Sequence, residues 1–288
     1  MLRLSTTNKM LNQDIFSRIP QTTRQAVDFP IIKVPVADAL KGRHTKKYQL
    51  FRQDTREPIS DKFVTADYKI VQNTYFLQMM DFVAAKHGAK PQSLHSTPTF
   101  NKLGAIYRFG FQDAPIMGDL HQVMLCGMLA HDNAYSITFF IAYLRLACMN
   151  GAMRLGTGEI LSFNNVSDLD LNNISFQLGD YIEKELSAFR TVVKDLQGRK
   201  ITNLFAQHII RELFNDTTQQ VEVYKNYLQN DFDIVANTKG TAWALFNAVT
   251  NFYDHKYPHN PKTFGRVFAS ELEQKKLVAK EKILALTE

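Results

Sequence analysis

Four side chains able to hold a metal ion, His121, Cys126, His131 and Cys148, follow one another at steps of five, five and seventeen residues. Structural zinc sites instead pair their ligands at short fixed spacing in loops. Both cysteines sit in apolar, strand-like runs, where a free thiol behaves as a small hydrophobe. No metal is expected. Nucleophilic catalysis has no better footing, because no G-x-S-x-G elbow or comparable signature occurs. Cys148-Met149-Asn150-Gly151 ends such a run, and Asn150-Gly151 is a turn dipeptide that reverses the chain. Gly151, Gly156 and Gly158 would let backbone N–H groups approach a phosphate. However, G-x-x-x-x-G-K-[ST] is absent, which excludes a P-loop ATPase. Asp113, Asp119, Asp132, Glu159, Asp168 and Asp170 are scattered carboxylates. The pair Asp168-Leu169-Asp170 lies in an Asn-rich stretch, the usual setting of a helix cap. No catalytic residue and no cofactor is assigned.

Charge says more. The chain carries a net +6, and residues 41–56 hold most of it: Lys41, Arg43, Lys46, Lys47, Arg52 and Arg56 stand against Asp54 alone. Such a local excess implies a polyanion contact more readily than diffuse basicity does. Tyr48 and Phe51 interleave with these cations. Cations tracking phosphates beside rings that stack bases are what holds a single nucleic-acid strand. Arg108 and Arg145, on neighbouring predicted strands, would add to the patch if they share its face. The plain alternative is a solvated hairpin with Tyr48 and Phe51 in the core.

These residues need elements to position them. The 288 residues are 45% hydrophobic and 22% charged, ordinary for a globular chain with a real core. The 21 Phe and 11 Tyr are mostly core material. No apolar run reaches bilayer length, no secretory signal is evident, and two cysteines suit a reducing cytoplasm. Residues 1–40, broken by Pro20, Pro30 and Pro35, read as an extended leader whose 29–36 run can pair only as an edge strand. Residues 41–165 read as a β-rich domain with strands near 48–52, 68–72 and 105–111, and a helix over 74–87 stopped by Gly88. Within it, 122–129 and 135–147 should form an antiparallel hairpin around His131-Asp132-Asn133-Ala134.

Helical spacing then takes over in 166–256. Leu178, Ile182, Leu186, Phe189, Val193 and Leu196 mark the first helix, with three more centred on Ile209, Tyr224 and Phe246. Residues 257–288 read as a solvated amphipathic tail docked loosely at most. The expected class is α+β: a curved antiparallel sheet with an embedded helix, followed by a helical C-terminal half.

Residues 142–160 resemble the RxxCxNG signature of a YfjQ/YafZ-type family of uncharacterised phage, prophage and plasmid proteins, through Arg145, Cys148, Asn150 and Gly151. His131-Asp132 stands where that family has an NSHDG turn, and Trp243, Asn247 and Thr250 resemble its C-terminal W…NAxT helix. The resemblance covers roughly residues 40–256. It implies a mobile-element protein in a bacterial host cytoplasm. At fold level the order of elements is similar to RecT/Erf-type annealing proteins, which need no cofactor and oligomerise along the strand.

The leading expectation is a protein that binds or anneals single-stranded DNA in recombination or replication, with replication or recombination proteins as partners and no membrane. The alternative is a non-catalytic protein that inhibits or redirects a host factor. An inhibitor that mimics DNA should be acidic, which this chain is not. A divergent metal-dependent nuclease stands third.

Overall fold

The computed structural model describes residues 22–37, 44–116, 119–132, 137–145, 159–163, 171–229, 238–257 and 270–287. The class is α+β, as the patterns predict, but the strands divide between two antiparallel sheets rather than forming one. After a single turn, α1 (Arg24–Val27), strands β1 (Ile31–Ala37), β2 (His44–Arg52) and β3 (Pro58–Thr65) make the first sheet in the order β1-β2-β3. Helix α2 (Asn73–Lys86) follows, ended by Gly88, whose φ of +70° suits glycine. The second sheet is a meander of β4 (Ala89–Ser96), β5 (Lys102–Ile116), β6 (Asp119–Ala130), β7 (Ile137–Arg145) and β8 (Leu161–Phe163). The expected hairpin is present, with His121 opposite Arg145 and Met128 opposite Thr138.

The C-terminal half comprises α3 (Leu171–Gly198), α4 (Asn203–Leu213), α5 (Thr217–Gln229), α6 (Ala242–His255) and α7 (Ser270–Leu286). Side chains supply the start signals. Thr202 Oγ1 accepts from Phe205 N, Asp216 Oδ1 from Thr218 N and Gln219 N, and Thr241 Oγ1 from Ala244 N.

Period-two alternation gives the meander two apolar faces. Tyr107, Val123, Leu125, Phe139, Ile141 and Tyr143 share the main core with Phe76 and Met80 of α2, Phe189 of α3 and Trp243 of α6. Tyr143 stacks on Phe189 with ring centres 3.7 Å apart. Gly127 belongs to the same face, where a methyl group would overlap Met80 Sδ and Cε. The opposite face carries a second buried cluster that includes Ile106, Met124, Cys126 and Phe140.

Three expectations need correction. Residues 68–72 are not a strand. Tyr68 and Ile70 instead pack on a third cluster of Phe29, Ile31, Leu50, Ile59 and Val64 beneath the first sheet. Strands β3 and β4 are additional, and the tail is not merely solvated. Lys276 of α7 is 3% exposed, with its ammonium 2.7 Å from Asp254 Oδ1 and 2.9 Å from Glu273 Oε1, both carboxylates being buried. Burial opposes its charge, but attraction to the two carboxylates wins and raises the lysine pKa.

Candidate nucleic-acid interface

Strand β2 carries the basic segment, and its pairing decides which side chains reach solvent. Leu50 is buried in the third cluster, with Tyr48 packed against it, so the even-numbered positions face inward. Lys33 Nζ lies 5.2 Å from the Tyr48 ring centre and donates to Tyr68 O. Arg52 also turns inward. Its guanidinium sits 4.0 Å from the Phe29 ring centre and 5.4 Å from that of Phe100, and it bonds Asp54 through Nε and Nη2. That pairing lowers the Asp54 pKa to about 2 and raises that of Arg52. Tyr48 and Arg52 are therefore engaged in holding the sheet's inner side.

The odd-numbered positions form the outer side. Gln49 is paired with Val34 and Phe63, and Phe51 with Ile32 and Pro58. Phe51 is half-buried and Phe63 is 44% exposed, although both are large apolar rings. Lys47 is exposed beside them, its ammonium 5.8 Å from the Phe63 ring centre. Lys46, although at an even-numbered position, is exposed near the start of the strand, as is Arg56, held in the β2–β3 turn at a φ of 61°. Among the described residues, no helix makes extensive contact with this sheet. Lys41 and Arg43 lie outside the described residues.

Arg108 belongs to the other sheet. It is exposed and sits directly opposite Lys90, an arrangement that costs stability because like charges face each other. Arg145 ends β7 opposite His121, and its side chain is outside the described residues. So are Cys148, Asn150 and Gly151. Cys126 is fully buried. Among the described residues, no three His, Cys, Asp or Glu side chains gather as metal ligands. No helix among them is long and apolar enough to cross a membrane.

Trp243, Asn247 and Thr250 are all fully buried rather than forming a polar helix face. Asn247 Nδ2 donates to Trp243 O and Thr250 Oγ1 to Asn247 O, so both bond their own helix's carbonyls. Trp243 meets His121 edge-on at 5.7 Å, which brings the C-terminal segment to the strand pair that ends at Arg145.

The sequence reading missed Phe63, the ring that completes the outer side. Its signal was the run of strand-favouring residues Phe63-Val64-Thr65. It also missed a buried polar relay at the start of α2. His131 is wholly buried, and its Nε2–H donates to Asn73 Oδ1 at 2.9 Å, while Asn73 Nδ2 donates to Val27 O. Burial lowers the His131 pKa to about 4, against a smaller upward pull from Asp132. The imidazole is neutral at neutral pH.

No curated protein and no solved structure matches the chain. Residues 62–280 match a family described as a domain of unknown function, DUF932. That span starts inside β3 and runs through the meander into α7, leaving β1, β2 and the basic segment before it. The chain belongs to the DUF932 family.

Proposed function

We propose that the protein binds single-stranded DNA on the three-stranded sheet, and that it serves recombination or replication of a mobile element. The observation that carries this reading is the outer side of β2, where exposed Lys47 accompanies two aromatic rings that the core does not enclose, with exposed Lys46 beside it in the strand and exposed Arg56 in the turn that follows. Cations tracking phosphates and rings facing bases are the two requirements of strand binding. A YfjQ/YafZ-type lineage, phage or plasmid residence in a bacterial cytoplasm, and annealing by an oligomer in the RecT/Erf manner belong to the same proposal. The last rests on analogy in the order of elements alone.

The test is the triple variant Lys46→Glu, Lys47→Glu, Arg56→Glu, titrated against an oligo-dT strand at several salt concentrations. Arg52 is left intact because it stabilises the sheet's inner side. The wild type should lose affinity with salt at a log–log slope of about −0.7 per phosphate neutralised. Removing three contacts should flatten that slope by about 2 and leave thermal unfolding unchanged. A triple variant that binds like the wild type at every salt concentration would falsify the reading.

A further inference from the structure

We infer that Phe51 and Phe63 form a two-base platform, on which successive nucleotides of an unpaired strand lie unstacked, one on each ring. The inference rests on the strand-binding reading above and specifies how the strand is held. Phe63 stands opposite Gln49, and Phe51 is two residues further along β2, which stays regular against β1 here; the register shift between them lies in β3, where Phe51 meets Pro58, so the two rings still lie diagonally on the outer side. Diagonal neighbours of an antiparallel pair are about 7–8 Å apart. Stacked bases rise only about 3.4 Å along a strand. Two neighbouring bases therefore cannot keep their mutual stack and also cover both rings. A strand pulled to roughly twice the stacked rise can, and only an unpaired strand stretches so far while exposing its base faces.

Lys47 fits the same geometry. Its ammonium lies over the Phe63 ring, 5.8 Å from the centre, so a base that takes the ring face displaces a flexible cation that can reach the adjoining phosphate. Gln49 lies between the rings and is tethered through Nε2 to Ser60 O at 3.0 Å. Its side chain offers Oε1 and one remaining N–H, a pair that suits the edge of any base, so the platform should tolerate sequence. The duplex is excluded as a platform ligand, because its bases are stacked inside the helix. Duplex binding, where present, would be electrostatic only.

The experiment measures affinity for a fluorescent twelve-nucleotide dT strand and for a duplex, using the full chain. The wild type is compared with Phe51→Ala, Phe63→Ala and the conservative Phe51→Tyr. Each alanine variant should weaken strand binding roughly 5- to 150-fold and leave duplex binding unchanged, and Phe51→Tyr should bind as wild type. A second arm replaces two adjacent bases of the strand with abasic sites at each register in turn. One register should weaken wild-type binding, and the same strand should make no difference to a Phe51→Ala, Phe63→Ala double variant. Circular dichroism checks that each variant is folded. If Phe51→Ala unfolds, Phe63→Ala, at the more exposed of the two rings, decides the matter with the abasic arm. Alanine variants that bind the strand like wild type, while the charge-reversed variant does not, overturn the platform and leave strand binding standing. Failure of the wild type to bind any strand defeats the underlying reading instead.

Discussion

At the scale of single residues, burial sets what each group can do. His131 donates from Nε2 to Asn73 and is held neutral. Its folded pKa of about 4 lies below the ordinary 6.5, so the unfolded chain takes up the proton first as pH falls. The stability due to the neutral imidazole is complete above about pH 6.5 and is lost progressively down to about pH 4. The difference amounts to roughly 3 kcal/mol. Urea unfolding at pH 7.5 and 4.5 should show that loss in wild type and a much smaller one in His131→Gln. Equal losses in the two proteins would remove His131 as the cause. Arg52 makes the complementary point, since a residue chosen for its charge turns out to lie flat on Phe29. Lysine cannot reproduce that planar contact together with the paired bonds to Asp54. Arg52→Lys should therefore lower the unfolding midpoint, whereas Lys46→Arg should not.

At the scale of elements, α7 is fixed to α6 by charge rather than by apolar area alone. Removing Lys276 would take an adjacent positive charge away from two buried carboxylates, so Lys276→Met should cost about 3–5 kcal/mol in chemical unfolding. Adding Asp254→Leu and Glu273→Leu should recover most of that loss. A triple variant no more stable than the single one would show that the helix needs the ions themselves. In the meander, Gly127→Ala should cost about 1–3 kcal/mol by overpacking against Met80, and shortening Met80 should relieve it.

Sequence patterns revealed the elements that bury one clean stripe or face: α3 through Ile182, Phe189 and Val193, and β6 and β7 through their long alternation. They failed at sheet edges. Strand β4 reads AKPQSLHS, with Pro91 at a register break and only Ala89 and His95 buried. Strand β3 opens on a proline and buries Ile59 and Ser60 in succession. An edge strand needs little apolar surface, so hydrophobic spacing cannot announce it. The charge excess of the candidate interface was legible because composition is local. Which parity of β2 faces solvent was not, because Phe29, Ile31 and Ile59 decide it from other segments.

For the whole molecule, the question is how the small sheet joins the part that matches the family. Arg24 grips Asp81 of α2 through both guanidinium ends, at 2.7 and 2.6 Å, while the Tyr107 hydroxyl donates to the same carboxylate. Burial works against the Asp81 charge, but these hydrogen bonds prevail and lower its pKa. Arg24→Ala should speed amide hydrogen exchange across residues 24–37 and leave β6 and β7 untouched. Unchanged exchange there would mean that other contacts hold the segment. Two of those contacts come from Gln72, whose side-chain amide takes the Ile31 N–H at 2.8 Å and gives its own to Ile31 O at 2.9 Å. A glutamine is thus behaving as one residue of a missing neighbour strand. Strand β1 is the end of its sheet, and a bare sheet end is a template that another polypeptide can copy. Gln72 occupies the slot at Ile31, and two slots on, Pro35 has no N–H to offer. Only the position at Lys33 is left between them, too short a run to seed a fibril or a strand-exchanged dimer. From Ile31 to Pro35, then, this border of the sheet is closed to copying by a second chain.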